Sequence, residues 1–366
     1  MNVKKVPGAP VLILSAIFFM IAAAGCAAQK TPESPRAGTY EFTDSCGRKV
    51  ELPKDIRRVA PSGPLAQIVL YTLCPDKLAG FGIDFSDKQF EYIDRKYASL
   101  PVLGNFYGDT LNLESLMVAD PQIVIDVGEP MKKIREDMDG IQKKTGIPTI
   151  FVKMDMDSMV SAYKTLGEVV GETGQARKII DYIEKTFSET RQKLELVPVS
   201  GRVKLYYGQY DNGLTAVVKG TVHADVIDIA GGINVSEVEE SIRGGASEIS
   251  MEQLMLWNPD VVLFAPDSIY GSVESRAEWK EISAIKNRKY YEVPNGPYNW
   301  MGRPPSVNRV LGVRWLSNLL YPAVFPYDMV KETREFYRLF YHCDVTDEQI
   351  GALLSRSTYR NDRQRK

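Results

Sequence analysis

Apolar positions fall into three kinds of run along this chain, and each kind predicts a different element. The first is one unbroken stretch, Val11 to Ala24 (VLILSAIFFMIAAA), which at about 14 residues suits the core of an export signal and is short for a membrane span. The second kind is short and bounded by turn residues: RRVAPS at 57–62, DKLAGFGI at 76–83 and PTIFVK at 148–153, then VKLYYG at 203–208, LTAVVKG at 214–220 and KYYEV at 289–293. These predict strands, and the helical patterns between them predict parallel sheets. The third kind has helical spacing: Met159, Tyr163, Leu166, Val169 and Val170, then Ile179, Ile180, Ile183 and Phe187, on either side of a break at Gly171 to Gly174. Its second piece predicts a helix to about Leu196, roughly 33 Å long at 1.5 Å per residue, enough to join two lobes as a strut.

One pattern occurs twice. NLESLMVADPQIVI at 112–125 aligns with SMEQLMLWNPDVVL at 250–263, so that Glu114 meets Glu252, Leu116 and Met117 meet Leu254 and Met255, and Pro121 meets Pro259. Each copy opens on a capping residue, Asn112 or Ser250, runs one short amphipathic helix, breaks at proline and enters a β-branched strand. The duplication predicts an α/β chain of two similarly built lobes. Predicted boundaries are a signal over 1–25, a tether over 26–38, a first lobe over 39–156, a helical region with the interlobe helix over 157–197, a second lobe over 198–354 and a basic tail over 355–366.

Composition narrows the chemistry. Among 366 residues, 45 Lys and Arg stand against 47 Asp and Glu, so no basic excess is present to hold a nucleic-acid backbone. Only two histidines, His223 and His342, occur, which excludes a site built from three or four imidazoles. Lys4 and Lys5 precede the apolar run, and the run ends in AAGC, small residues directly before Cys26. That ending resembles the lipobox of bacterial lipoproteins, in which the cysteine is lipidated and opens the mature chain. The tether that follows, with Pro32 and Pro35, is polar and unsuited to packing. Anchor and tether together place the protein on the outer face of the cytoplasmic membrane. Cys46, Cys74 and Cys343 are odd in number, so no disulfide framework is indicated, and a single bridge is left open.

The order TDSCGRKVELP, RRVAP, DKLAGFG, LPVLGNFYG, NLESLMVADPQIVI, a long central helix, DIAGGIN, SMEQLMLWNPDVVL and RPPSVNRVLGVRWLSNLLYP resembles the substrate-binding proteins of ABC importers for ferric siderophores, haem and cobalamin. The resemblance covers about 300 residues, from Thr43 to roughly Leu354. It implies two Rossmann-like lobes bridged by one helix, a ligand held between them and little hinge closure. It further implies a monomer without an intrinsic cofactor, which captures an iron or cobalt chelate and delivers it to a permease dimer with its ATPase subunits. Glu114 and Glu252 then become the groups that meet arginine pockets on the two permease copies; by position alone they are carboxylates favoured in the first turn of a helix. Cys46 stands where such proteins more often carry a small aliphatic residue.

Ligands of α/β lobes gather at the loops beyond strand ends. Candidates on the first lobe are Ser62, Gly63, Asp84, Asn105 to Tyr107, and Glu129. On the second they are Tyr207, Tyr210, His223, Tyr270 and the segment GPYNWMGRPPS, with Tyr298, Trp300 and Arg303. Aromatic faces suit a flat or apolar chelate, and Arg303 suits anionic oxygens. Trp300 and Arg303 share a Gly- and Pro-rich loop, which is expected to present both. His223 is a possible metal ligand, whereas His342 reads as structural. An enzyme is the rival class, yet GxSxG, GxxxxGK[ST] and a full GxGxxG are all missing from the sequence. A surface scaffold is the third class and predicts no cleft ligand.

Overall fold

The computed structural model describes residues 38–359 apart from Arg243 and Asp267. The expected signal, Cys26, the tether up to residue 37 and the tail from Arg360 onward lie outside the described residues. The first lobe opens with an antiparallel pair, β1 (Thr39–Thr43) and β2 (Lys49–Pro53). The turn between them is tied by Asp44, whose carboxylate accepts from the Cys46 and Arg48 amides and from the Arg48 guanidinium. Then follow β3 (Val59–Pro61), α1 (Pro64–Leu73), α2 (Leu113–Ala119), β4 (Ile123–Gly128), α3 (Ile134–Thr145) and β5 (Thr149–Lys153). Strands β3, β4 and β5 form a parallel sheet in that order. Every residue of β4 is buried, as a central parallel strand covered on both faces requires. DKLAGFGI, expected as a strand, contributes only isolated bridges, Val59 to Leu78 and Phe81 to Val102; Leu78, Ala79 and Phe81 are buried, and other backbone crosses at its glycines, a Cβ on Gly80 standing 2.6 Å from the Pro101 carbonyl oxygen and one on Gly82 2.9 Å from the Gly63 backbone.

Helices α4 (Met159–Val170) and α5 (Thr173–Leu194) are separated where expected, at Gly171, whose φ of +73° ends α4. Helix α5 spans 22 residues. It touches both lobes: Gln175 donates to the Thr72 carbonyl of α1, while Thr186 accepts from the Arg314 Nε at 2.8 Å.

The second lobe contains β6 (Lys204–Gln209), β7 (Thr215–Val217), α6 (Asp225–Ile229), β8 (Ile233–Asn234), β9 (Ala246–Glu248), α7 (Met251–Trp257), β10 (Val261–Phe264), α8 (Ser283–Lys286) and β11 (Tyr290–Glu292). Helices α9 (Asn308–Leu320), α10 (Met329–Phe336) and α11 (Asp347–Leu354) follow. The two-lobed α/β class is the one expected, but this sheet is mixed. Its order is β11-β10-β6-β7-β9, with β8 also on β6, and β7 runs antiparallel to both its neighbours. The reason is the short connection from Gln209 to Thr215, with Tyr210 at φ +58° and Gly213 at φ +70°; a turn of that length returns the chain antiparallel.

The segment from Tyr341 to Gln349 folds back on the first lobe. His342, structural as expected, meets the Thr72 carbonyl through Nε2 at 3.1 Å, Tyr341 packs on Tyr71, and Gln349 donates to the Glu91 carbonyl. These contacts and α5 fasten the lobes at several points. Cys46, Cys74 and Cys343 are all unpaired, so the bridge left open by the sequence is not formed.

Candidate functional site

The carboxyl edges of the two sheets both carry charged side chains. On the first lobe, Ser62 follows β3, Glu129 follows β4, Asp155 lies just beyond β5, and Asp126 sits inside β4. Asp126 is 1 % exposed and accepts from the Ser62 hydroxyl, the Tyr107 hydroxyl at 2.6 Å and the Val127 amide at 3.0 Å. Burial raises its carboxyl to about 6 despite these donors. Asn105 turns the loop before Tyr107, accepting from the Tyr107 amide at 3.0 Å, and the Tyr107 ring is left partly exposed.

On the second lobe two arginines, Arg303 and Arg309, stand among acids of their own, Asp211 and Asp225. Arg303 donates from Nη1 to the Tyr210 hydroxyl at 3.2 Å and lies over that ring, while its Nε is buried without a partner. Arg309, the second residue of α9, is buried and pairs with Asp225 at 2.9 Å and with the Val222 carbonyl at 3.0 Å. Glu129 and Asp155 of the first lobe lie close enough to act on the Arg309 charge. The two strand edges therefore face each other. His223 meets the Gly302 carbonyl through Nδ1 at 2.5 Å. A carbonyl only accepts, so Nδ1 carries the proton; burial and then Arg303 hold the imidazole below its ordinary range, which keeps it neutral and leaves Nε2 as an acceptor. Among the described residues no three His, Cys, Asp or Glu side chains converge as a metal site.

A cavity of about 370 Å³ lies at the carboxyl ends of β6 and β10, lined by Gln209, Tyr210, Asp211, Ala265, Pro266, Asn295, Asn299 and Arg303. A second, of about 520 Å³, is shared between the lobes, with Lys88, Glu91 and Tyr92 of the first across from Pro266 and Asn295 of the second.

Of the expected ligand residues, Tyr107, Tyr210, His223 and Arg303 reach the strand-edge surface. Tyr207, Tyr270 and Tyr298 are buried, the first under Asn299, the second between Tyr290 and the Arg356 guanidinium, the third beside Gln67 of α1. Trp300 departs furthest from expectation. Its loop is turned inward by Asn299 and Asn308, which bind the Met301 amide and the Tyr298 carbonyl, and the indole is fully buried edge-on against Trp315. Gly312 of α9 makes room, since a Cβ there would stand 2.1 Å from the Trp300 carbonyl oxygen.

The repeat is reproduced in three dimensions. Asn112 and Ser250 cap α2 and α7 by accepting from the Ser115 and Gln253 amides, each helix runs 7 residues, and each ends on a left-handed residue, Asp120 at φ +46° and Asn258 at φ +41°. Glu114 and Glu252 are both exposed in the first turn. Next to them each helix exposes an apolar pair, Met117 with Val118 and Met255 with Leu256; Val118 is 86 % and Leu256 80 % exposed. Reading the helices as amphipathic passed over these pairs, although both copies carry them in register.

A family model described as periplasmic binding protein matches residues 79–297. The chain belongs to that family, the extracytoplasmic binding proteins of ABC transporters. It is 26 % identical over 327 residues to the molybdate-binding protein MolA of Haemophilus influenzae, covering 82 % of this chain and 90 % of the relative. It is 22 % identical over 340 residues to an uncharacterised ABC transporter substrate-binding lipoprotein, YvrC, of Bacillus subtilis, covering 86 % and 96 %. An ABC transporter solute binding protein from Sulfurospirillum deleyianum superimposes with a TM-score of 0.78 at 27 % identity, over 86 % of this chain and 99 % of that one. All three relatives are described as binding proteins and none as an enzyme.

Proposed function

We propose that this protein captures a small anionic ligand between its lobes and delivers it to the permease dimer of an ABC importer. The observation that carries this reading is the unmatched Arg303 Nε at the edge of a cavity, with neutral His223 and buried Arg309 beside it. Fixed guanidinium donors in a partly desolvated pocket suit anionic oxygens. The ferric siderophore, haem and corrinoid ligands implied by the resemblance all carry such oxygens, and so does the molybdate of the Haemophilus relative. Lobes fastened by α5 and by the returning segment favour a cleft that opens little.

Docking is assigned to α2 and α7. A duplicated carboxylate beside a duplicated apolar pair suits a partner that is itself two-fold, with Glu114 and Glu252 giving orientation and the apolar pairs giving buried area. We further propose a monomer held to the outer membrane face through lipidated Cys26. Thermal melts of wild type and Arg303→Ala against ferric chelates, haem, corrinoids and molybdate test the ligand reading. A specific ligand raises the wild-type Tm and fails to raise that of the variant; a panel without effect on wild type counts against it.

A further inference from the structure

A cavity of about 310 Å³ opens between α3 and the loop that leads into α2, and it shares no residue with the strand-edge cavity. Leu111, Leu113 and Ile141 give it apolar walls, while Asp109, Glu136 and Asp137 stand around it against one cation, Lys144. Among the described residues none of these three carboxylates enters an ion pair, whereas Asp139 of the same helix pairs with Arg48 at 2.8 Å. Position in the first turn of α3 accounts for Glu136 and Asp137, but not for Asp109 in the loop. Nor, among the described residues, do three acidic side chains converge closely enough to hold a metal ion. Apolar walls under a spread of unpaired carboxylates suit an extended cation with an apolar stem.

We infer that this cavity receives a lysine or arginine side chain from the permease copy that meets the first lobe. The stem of that side chain lies against Leu111, Leu113 and Ile141, and its charged head reaches the carboxylates. Leu113 directly precedes Glu114, so the cavity continues the face of α2 to which docking is assigned. Carboxylates without an ion pair of their own gain a partner here and give none up. This contact rests on the docking proposed for α2 and adds to it a place where this chain supplies the pocket and the permease the inserted group. Gly140 of α3 lines the cavity, and a Cβ there would meet no atom within 4 Å. A large side chain at 140 can therefore fill the cavity without displacing its neighbours, and loss of a glycine from a helix interior favours α3.

The test is biolayer interferometry of the full chain against nanodiscs holding the permease dimer and its ATPase subunits from the protein's own host. Gly140→Trp is expected to weaken binding at least tenfold while keeping or exceeding the wild-type Tm. Gly174→Trp, which fills an equally open position on α5, binds as wild type does. Glu136→Lys and Asp109→Lys, both at exposed positions, each weaken binding at least threefold and carry the test should tryptophan unsettle α3. Wild-type affinity in Gly140→Trp and in both lysine variants, with Glu114→Lys weakened, overturns the cavity contact and leaves the docking of α2 intact. Equal weakening by Gly140→Trp and Gly174→Trp, with both lysine variants unchanged, overturns it as well. No binding by wild type, or binding that ignores Glu114→Lys, Glu252→Lys and the cavity variants alike, overturns the docking assignment and the cavity contact with it.

Discussion

The Tyr107 hydroxyl, on a ring 42 % exposed, donates across 2.6 Å to the Asp126 carboxylate, which is 1 % exposed inside β4. A surface ring is thus held by a buried acid. Burial lifts that acid from 3.8 to about 6, so its ionised form is disfavoured in the fold. The linkage has a definite sign: the associated stability is full below about pH 4 and is lost as pH rises through about 6. Asp126→Asn removes the ionisation. Melting curves from pH 4.5 to 8 should show wild type losing on the order of 2 kcal/mol relative to the variant across this range. Parallel curves for the two proteins contradict the assignment.

If Glu114 and Glu252 meet permease arginines as proposed, charge reversal at either turns that attraction into a repulsion without touching the strand-edge cavity, which neither residue lines. Uptake by whole cells should fall at least tenfold for either Lys variant, with ligand affinity unchanged. Val118→Asp and Leu256→Asp, on the adjoining apolar pairs, should act in the same direction. Normal uptake in all four variants would reduce the glutamates to helix-terminal carboxylates.

Trp300 packs in the core, so Trp300→Phe is expected to cost stability and not recognition. Its tight fit against Trp315 and α9 predicts a loss of about 1–3 kcal/mol in denaturant unfolding, with ligand affinity changed less than threefold. A variant of full stability and much weaker binding would return the indole to the ligand.

Cys26→Ser should release the exported protein from the membrane fraction without altering ligand binding. Continued membrane retention of the variant removes the anchoring proposal.

The parts of this fold legible in the sequence are those whose signals are local. Asn112 and Ser250 as caps, Pro121 and Pro259 as breaks and Gly171 as a helix end each act within a few residues, and the structure bears out all five. The inward turn of Trp300 was hidden because it depends on Gly312 and on Asn308, remote from the loop's own composition. Asp126 and Arg309 were missed for a different reason. Each is one charge in an apolar run, IVIDVG or VNRVLGV, and pattern reading averages such a residue away. A lone charge inside a buried run is itself the signal, because it must find partners: Ser62 and Tyr107 for one, Asp225 for the other. Pairings such as His223 with Gly302, 79 residues apart, have no local trace at all.

The central claim is that the cleft between the lobes holds one small anionic ligand through Arg303. Native mass spectrometry of the protein released from its own host's membranes tests it most directly. The account predicts one non-covalent ligand per chain on wild type and bare Arg303→Ala prepared in parallel. Wild type carrying no ligand, or a ligand retained in full by the variant, contradicts it.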